Sequence, residues 1–293
     1  MWYNKHVPEH GSKGGNMNDY LRESMSYFGL CRKLFQVRKK YKPVKVSYGK
    51  GRDRYFLYYE PQSIISDKII FWVHGGGWNA GSPAFFDYVG QCVCAQGYRF
   101  VSAGYRLSPK YKYPCQVRDV CEAYNSAMNY LAEKGTDVSE VIVAGPSAGA
   151  HLTSIMCYCR KVQEKYGVDI SNIKGFVGFG GPYSFRKDQG LTLRLLEDQL
   201  FKKDYNRRNG EPVSLMGKNH IPMLLIQSRH DGLVGFACAE DFAKKAEKLG
   251  NTCELYSVTD RKDTHSWYTA GLFLETREDN KGLDKFFSWI EEL

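Results

Sequence analysis

Apolar positions recur along this chain with two different periods, and the two are segregated. Leu21, Met25, Phe28, Cys31 and Phe35 follow one another at three- and four-residue steps, with Arg22, Arg32, Lys33, Lys39 and Lys40 mostly on the other side. That spacing predicts an amphipathic helix over about residues 17–41, ended by Pro43, whose apolar stripe needs something to cover. Eight short runs rich in β-branched and aromatic residues follow, at 44–49, 54–60, 68–75, 98–105, 140–145, 173–181, 222–229 and 252–259, and each predicts a strand. From the third run onward most gaps carry a helical pattern, as in Val117, Val120, Tyr124, Ala127 and Leu131, in Phe236, Phe242, Ala246 and Leu249, and in Leu283, Phe286, Phe287 and Ile290. Strands alternating with helices predict an α/β fold, a mainly parallel eight-stranded sheet with helices on both faces. Functional groups in such sheets gather beyond the carboxyl ends of the strands. One gap departs from the rhythm. About forty residues separate "GFGGPYSF" from "PMLLIQS", too many for a simple crossover. The reading is therefore an N-terminal helical cap segment over 1–45 and an α/β domain over 46–293. A cap-like insertion at about 186–220 runs over the top of the sheet.

Composition narrows the class. With 293 residues, 43% of them hydrophobic, the chain can bury one large core. The formal charge of +9 suggests nucleic acid until it is located: residues 1–45 hold ten Lys/Arg against three Asp/Glu. No nucleic-acid motif accompanies that basic segment, so a solvated helix face is expected and no nucleic-acid partner. The first fifteen residues include Lys5, His6, Glu9, His10 and Lys13 with no apolar run, and no stretch approaches the length of a membrane span. A cytoplasmic protein without stable membrane insertion is expected. The nine cysteines are scattered, with C-x-C at Cys92/Cys94 and Cys157/Cys159 but no C-x-x-C. Reduced thiols, rather than zinc or disulfides, follow from that pattern.

The chemistry starts where the run Val141-Ile142-Val143-Ala144 stops at Gly145. "GPSAG" at 145–149 fits G-x-S-x-G between a strand and a helix; the small residues let strand and helix approach, and Ser147 is thrust up with its hydroxyl exposed. The amide of Ala148, at the helix start, faces the same space and can bind negative charge. "HGGGW" at 74–78 follows the third strand, where unobstructed backbone amides could form the rest of an oxyanion hole. A serine hydroxyl needs a base, and the base an orienting acid, in the chain order Ser…Asp/Glu…His. "RHDGLV" puts Asp231 just past one strand and "TDRKDTHSWY" puts His265 just past the next. His74 and His151 are less well placed as base, and His220 and His230 precede the acid. Asp260 and Asp263 are rivals to Asp231, both on the loop that carries His265.

With these residues in place, the sequence resembles α/β-hydrolases of the hormone-sensitive-lipase type, a group of carboxylesterases and acetyl esterases. The resemblance rests on "HGGGW", "AGYRLSPKYKYP" (103–114), "GPSAGAHL", "RHDGLV" and "DTHSW", and spans about residues 50–293. It implies Ser147 as nucleophile, His265 as base, Asp231 as orienting acid, and Gly76, Gly77 and Ala148 as oxyanion donors. It implies no metal and no organic cofactor, a small-molecule ester as substrate, and a cap built partly from the N-terminal segment. Two positions depart from the family pattern: Pro146 stands where Asp or His is usual, and Ala150 where glycine is frequent. "SAGAHL" also resembles kynurenine formamidases, which share the fold and triad but cleave an N-formyl group. A third reading is a binding protein on this fold, as in the plant gibberellin receptors, which lack the catalytic histidine. The leading expectation is a serine carboxylesterase for short acyl or acetyl esters, and the charged 186–220 segment argues against a lipid-docking lid.

Overall fold

The computed structural model describes residues 17–34, 36–185, 190–259 and 262–293. Phe35, Asp260 and residues 186–189, on which some of the sequence expectations fall, lie outside them. All eight expected strands form: β1 (Val44–Ser47), β2 (Tyr55–Tyr59), β3 (Ile69–Val73), β4 (Arg99–Ala103), β5 (Val141–Pro146), β6 (Ile173–Phe179), β7 (Met223–Ser228) and β8 (Cys253–Val258). They make one sheet in the order β1-β2-β4-β3-β5-β6-β7-β8. β2 pairs antiparallel with β1 and with β4, and every later pairing is parallel.

The helices are α1 (Met17–Leu34), α2 (Asp87–Ala95), α3 (Cys115–Glu133), α4 (Ala148–Tyr158), α5 (Arg160–Tyr166), α6 (Leu191–Leu200), α7 (Pro212–Leu215), α8 (Phe236–Leu249), α9 (His265–Thr269) and α10 (Lys281–Glu291). Two cores lie on opposite faces of the sheet. In β3, Ile69, Phe71 and Val73 join the layer that holds α3, α4 and α8, whereas Ile70 and Trp72 join the layer that holds α2 and α10. Successive side chains point to opposite faces, so a strand covered on both sides must be apolar throughout. That is why "IIFWV" shows no alternation and is wholly buried. The edge strand β1 is largely exposed and the edge strand β8 mostly half-buried.

α1 forms, but it ends at Leu34 rather than near residue 41, and it docks on a different face from the one its apolar spacing indicates. Leu21, Met25 and Phe28 are 55%, 76% and 78% exposed, whereas Glu23 and Leu30 are buried. The expected stripe is therefore bare at Leu21, Met25 and Phe28, while Cys31 is partly buried. The helix is held instead by polar side chains that hydrogen-bond to residues around α9. In the insertion, Leu193, Leu200 and Phe201 are buried and Leu191 and Leu195 exposed, so α6 lays one apolar side down over the strand ends. Among the described residues no helix is long and apolar enough to cross a membrane, and none of the nine cysteines is joined in a disulfide.

Candidate active site

β5 runs into Ser147 and α4 leaves it at once, so the chain reverses within a single residue. Ser147 takes φ 51° and ψ −119°, a region that costs an L-residue of the order of 1–3 kcal/mol and persists only where the surroundings impose it. They do so here by contact. A Cβ on Gly149 would lie 2.0 Å from the Val73 carbonyl oxygen, and one on Gly145 would lie 2.8 Å from the same atom. Only two residues without side chains let β3, β5 and the start of α4 come this close. The Ser147 amide donates to the Phe179 carbonyl at 2.7 Å and its carbonyl accepts from the His151 amide at 3.1 Å. The side chain stays partly exposed while Gly145, Pro146, Ala148 and Gly149 around it are buried. Pro146 does not disturb the elbow.

The glycine loop after β3 sits beside it. Gly76, Gly77 and Trp78 all adopt positive φ, at 109°, 56° and 62°. Trp78 is buried and its Nε1–H donates to His151 Nδ1 at 3.2 Å, while the other ring nitrogen of His151 meets the Gly210 carbonyl at 2.7 Å. His151 thus ties the glycine loop and α4 to the segment after α6. His74 is stacked on Tyr105, with ring centroids 4.3 Å apart, and bonds the Gly75 carbonyl at 2.7 Å. Burial pushes both imidazoles down to about 4, so they are neutral structural groups.

β7 and β8 deliver the remaining pair. Asp231 is held by the amides of Leu233 and Val234, which donate to Oδ1 at 2.8 and 2.7 Å. Its Oδ2 accepts from His265 Nδ1 at 2.7 Å. The rival Asp263 faces away from this pairing and binds Arg22 at 2.6 Å. The His265 pKa is raised: burial alone would lower it, but the Asp231 charge and hydrogen bond outweigh that, and the Glu23 charge adds to them. Two partners had no signal in the sequence. The Tyr268 hydroxyl donates to Asp231 Oδ2, and Glu23 of α1 accepts from the His265 amide at 2.6 Å.

Ser147, His265, Gly76, Gly77 and Ala148 all line one cavity of about 460 Å³, within the range of small-molecule sites. Its walls are mostly apolar. Tyr27 and Leu30 come from α1, Leu193 and Leu196 from α6, and Phe86 and Tyr88 from the start of α2. A Cβ on Gly77 would lie 2.9 Å from two Leu196 carbons, so α6 presses directly on the glycine loop. None of the described lining residues is Asp, Glu, Lys or Arg. No group of three or more His, Cys, Asp or Glu able to hold a metal occurs among the described residues.

Known proteins share this architecture. The esterase B structure from Lactobacillus Rhamnosis superposes with a TM-score of 0.76 at 17% identity, covering 94% of this chain and 93% of that one. The fold is thus the α/β-hydrolase fold. Esterase LipC of Mycobacterium tuberculosis is 25% identical over 199 residues, 63% of this chain and 49% of that protein. A 97-residue stretch is 34% identical to FAD-linked oxidoreductase pytB of Aspergillus terreus, covering 33% of this chain and 11% of that one. The chain thus spans half or less of the length of these curated relatives. The BD-FAE family model matches residues 57–246, which include the glycine loop, the serine elbow and Asp231; the chain belongs to the BD-FAE family.

Proposed function

We propose that the chain is a serine carboxylic ester hydrolase for neutral esters with short acyl groups. The observation that carries this reading is the Asp231–His265 pair, 2.7 Å apart, beside a cavity that His265 shares with a serine at a strained elbow. The names of LipC and of esterase B support it. Nδ1–H of His265 donates to Asp231, which leaves the Nε2 lone pair to take the Ser147 proton as Oγ attacks the ester carbonyl. The negative oxygen that develops is stabilised by the amides of Gly76, Gly77 and Ala148. The imidazolium then protonates the departing alcohol, and water, deprotonated by the same histidine, releases the acid and restores Ser147. α1 and the 190–220 segment act as the cap, closing the cavity through Tyr27, Leu30, Leu193 and Leu196.

The lining favours an ester over the formamidase alternative. N-formylkynurenine carries an α-ammonium and an α-carboxylate, and a site that binds a zwitterion needs charged or strongly polar partners. Among the described lining residues this cavity presents no Asp, Glu, Lys or Arg, and its polar groups besides Ser147 and His265 are uncharged ones such as Asn79, Thr192 and Thr269. The test compares acetyl, butyryl and palmitoyl esters of one leaving group, alongside Ser147→Ala and N-formylkynurenine. Turnover should be fastest with the shorter esters and should fall in Ser147→Ala to a residual of the order of 10³-fold over water. Near-native turnover by Ser147→Ala would sink the triad. Faster palmitoyl hydrolysis, with a jump above its aggregation threshold, would mean a lipase whose bare α1 stripe meets lipid.

A further inference from the structure

Five consecutive residues around the proposed base are held by one helix more than 200 positions away in sequence. Asp263 pairs with Arg22 at 2.6 Å, and the Thr264 hydroxyl meets that of Ser26 at 2.9 Å. The amides of His265 and Ser266 donate to the two carboxylate oxygens of Glu23 at 2.6 and 2.9 Å, and the Ser266 hydroxyl donates to Glu23 as well. Trp267 Nε1–H reaches the Ser26 carbonyl at 3.2 Å. Glu23 is 6% exposed. A buried carboxylate is costly unless its oxygens are satisfied, and the neighbouring Arg22 is committed to Asp263. Here the donors are the first amides of α9, groups that a helix leaves without internal partners. Thr264, at the N-cap position, makes no capping bond with its side chain. Glu23 does the capping from another element.

From this we infer that Glu23 is a positioning residue for His265: it fixes the backbone from which the imidazole reaches both Asp231 and Ser147. The inference rests on the triad reading. Asp231 holds the ring from one end through Nδ1, and Glu23 holds the main chain at the other, so the ring has one placement. Proton transfer is steep in distance, and a misplacement of about 1 Å can cost on the order of 100-fold. The same helix lines the cavity through Tyr27 and Leu30, so a docked α1 completes the substrate pocket and seats the base together.

Charge gives the test a second readout. The groups facing His265 are Asp231 from beyond the end of β7, Tyr268 from α9 itself and Glu23 from α1. The Arg22–Asp263 pair flanks the segment, and Lys262 is paired with Glu275, which also binds Lys33 of α1. Glu23→Gln keeps shape but removes a negative charge beside the imidazolium, and Glu23→Asp keeps the charge but shortens the reach. Both are measured in the full chain with short acyl esters, and rates are referred to active sites titrated with a fluorophosphonate. We expect kcat per titrated site to fall about 10- to 100-fold in both, with KM within about 3-fold. The acid limb of kcat/KM should move to lower pH in Glu23→Gln alone. Unchanged kcat per titrated site, with only the number of competent sites or the melting temperature reduced, would overturn the inference and leave Glu23 as a fold anchor. An unmoved acid limb in Glu23→Gln would overturn it too. Retained turnover in Ser147→Ala would instead bring down the triad reading, and this inference with it.

Discussion

Tyr268→Phe removes one hydroxyl and no other atom from the environment of Asp231. The ring is buried and its hydroxyl donates to the same Oδ2 that accepts His265 Nδ1. Burial, with the nearby Asp231 charge, holds the Tyr268 pKa well above its ordinary value, so it is a permanent donor at working pH. A hydrogen bond to a charged group is worth about 1.5–3 kcal/mol. The lower end applies here, because Asp231 keeps the amides of Leu233 and Val234 on Oδ1. With one donor fewer, the carboxylate leans harder on the imidazolium. About 1.5 kcal/mol corresponds to at most about one pH unit, and the direction is upward: His265 is protonated more readily, so the neutral base appears at higher pH. The acid limb of kcat/KM should therefore move up by up to about one unit, opposite to Glu23→Gln. The melting temperature should fall by roughly 2–3 °C. The assay is hydrolysis of a short acyl ester from weakly acidic to alkaline pH, beside a thermal melt. A limb that stays put or moves down would refute the argument that Tyr268 tempers the Asp231–His265 pair.

Two further outcomes follow from groups around the glycine loop and the elbow. His74 and His151 are buried, with pKa values pushed down to about 4, so the unfolded chain binds more protons than the native one as pH falls from about 6.5 to about 4. Their contribution to stability is complete above that window and is lost through it, about 3 kcal/mol each at most. The raised pKa of His265 acts in the opposite sense, but its contribution is already complete below about 6.5 and adds no slope there. Urea midpoints that do not fall across the window would contradict this; protonated His151 can no longer accept from Trp78. Gly149→Ala puts a Cβ 2.0 Å from the Val73 carbonyl oxygen, backbone against backbone, and should cost about 1–3 kcal/mol or more while displacing Ser147 and its turnover. Gly217→Ala, where the nearest atom is 3.5 Å away, should melt near wild type. Equal melting of the two variants would show that the elbow does not depend on that close approach.

Much of this molecule is dictated by local pattern. A strand buried on both faces must be an unbroken apolar run, so "KIIFWV", "EVIVAG" and "PMLLIQS" were legible as strands, and the sheet class followed from their alternation with helices. The strand–turn–helix around Ser147, the glycine loop at 74–78, and the order of Ser147, Asp231 and His265 are also written locally. Chain order and strand ends alone brought Asp231 and His265 to one place, where the structure sets them 2.7 Å apart. What local pattern could not supply is which surface a helix meets. The spacing of Leu21, Met25 and Phe28 defines an apolar stripe, but periodicity says nothing of whether the fold offers a partner for it, and here the polar side docks instead. Glu23 and Tyr268 read as an ordinary helical acid and an ordinary aromatic. They become partners of His265 and Asp231 only because the ends of β7 and β8 carry α9 up against α1. Contacts across more than 200 residues depend on how the whole chain closes on itself, and so tertiary structure alone decided that the segment bearing His265 is clamped from both sides.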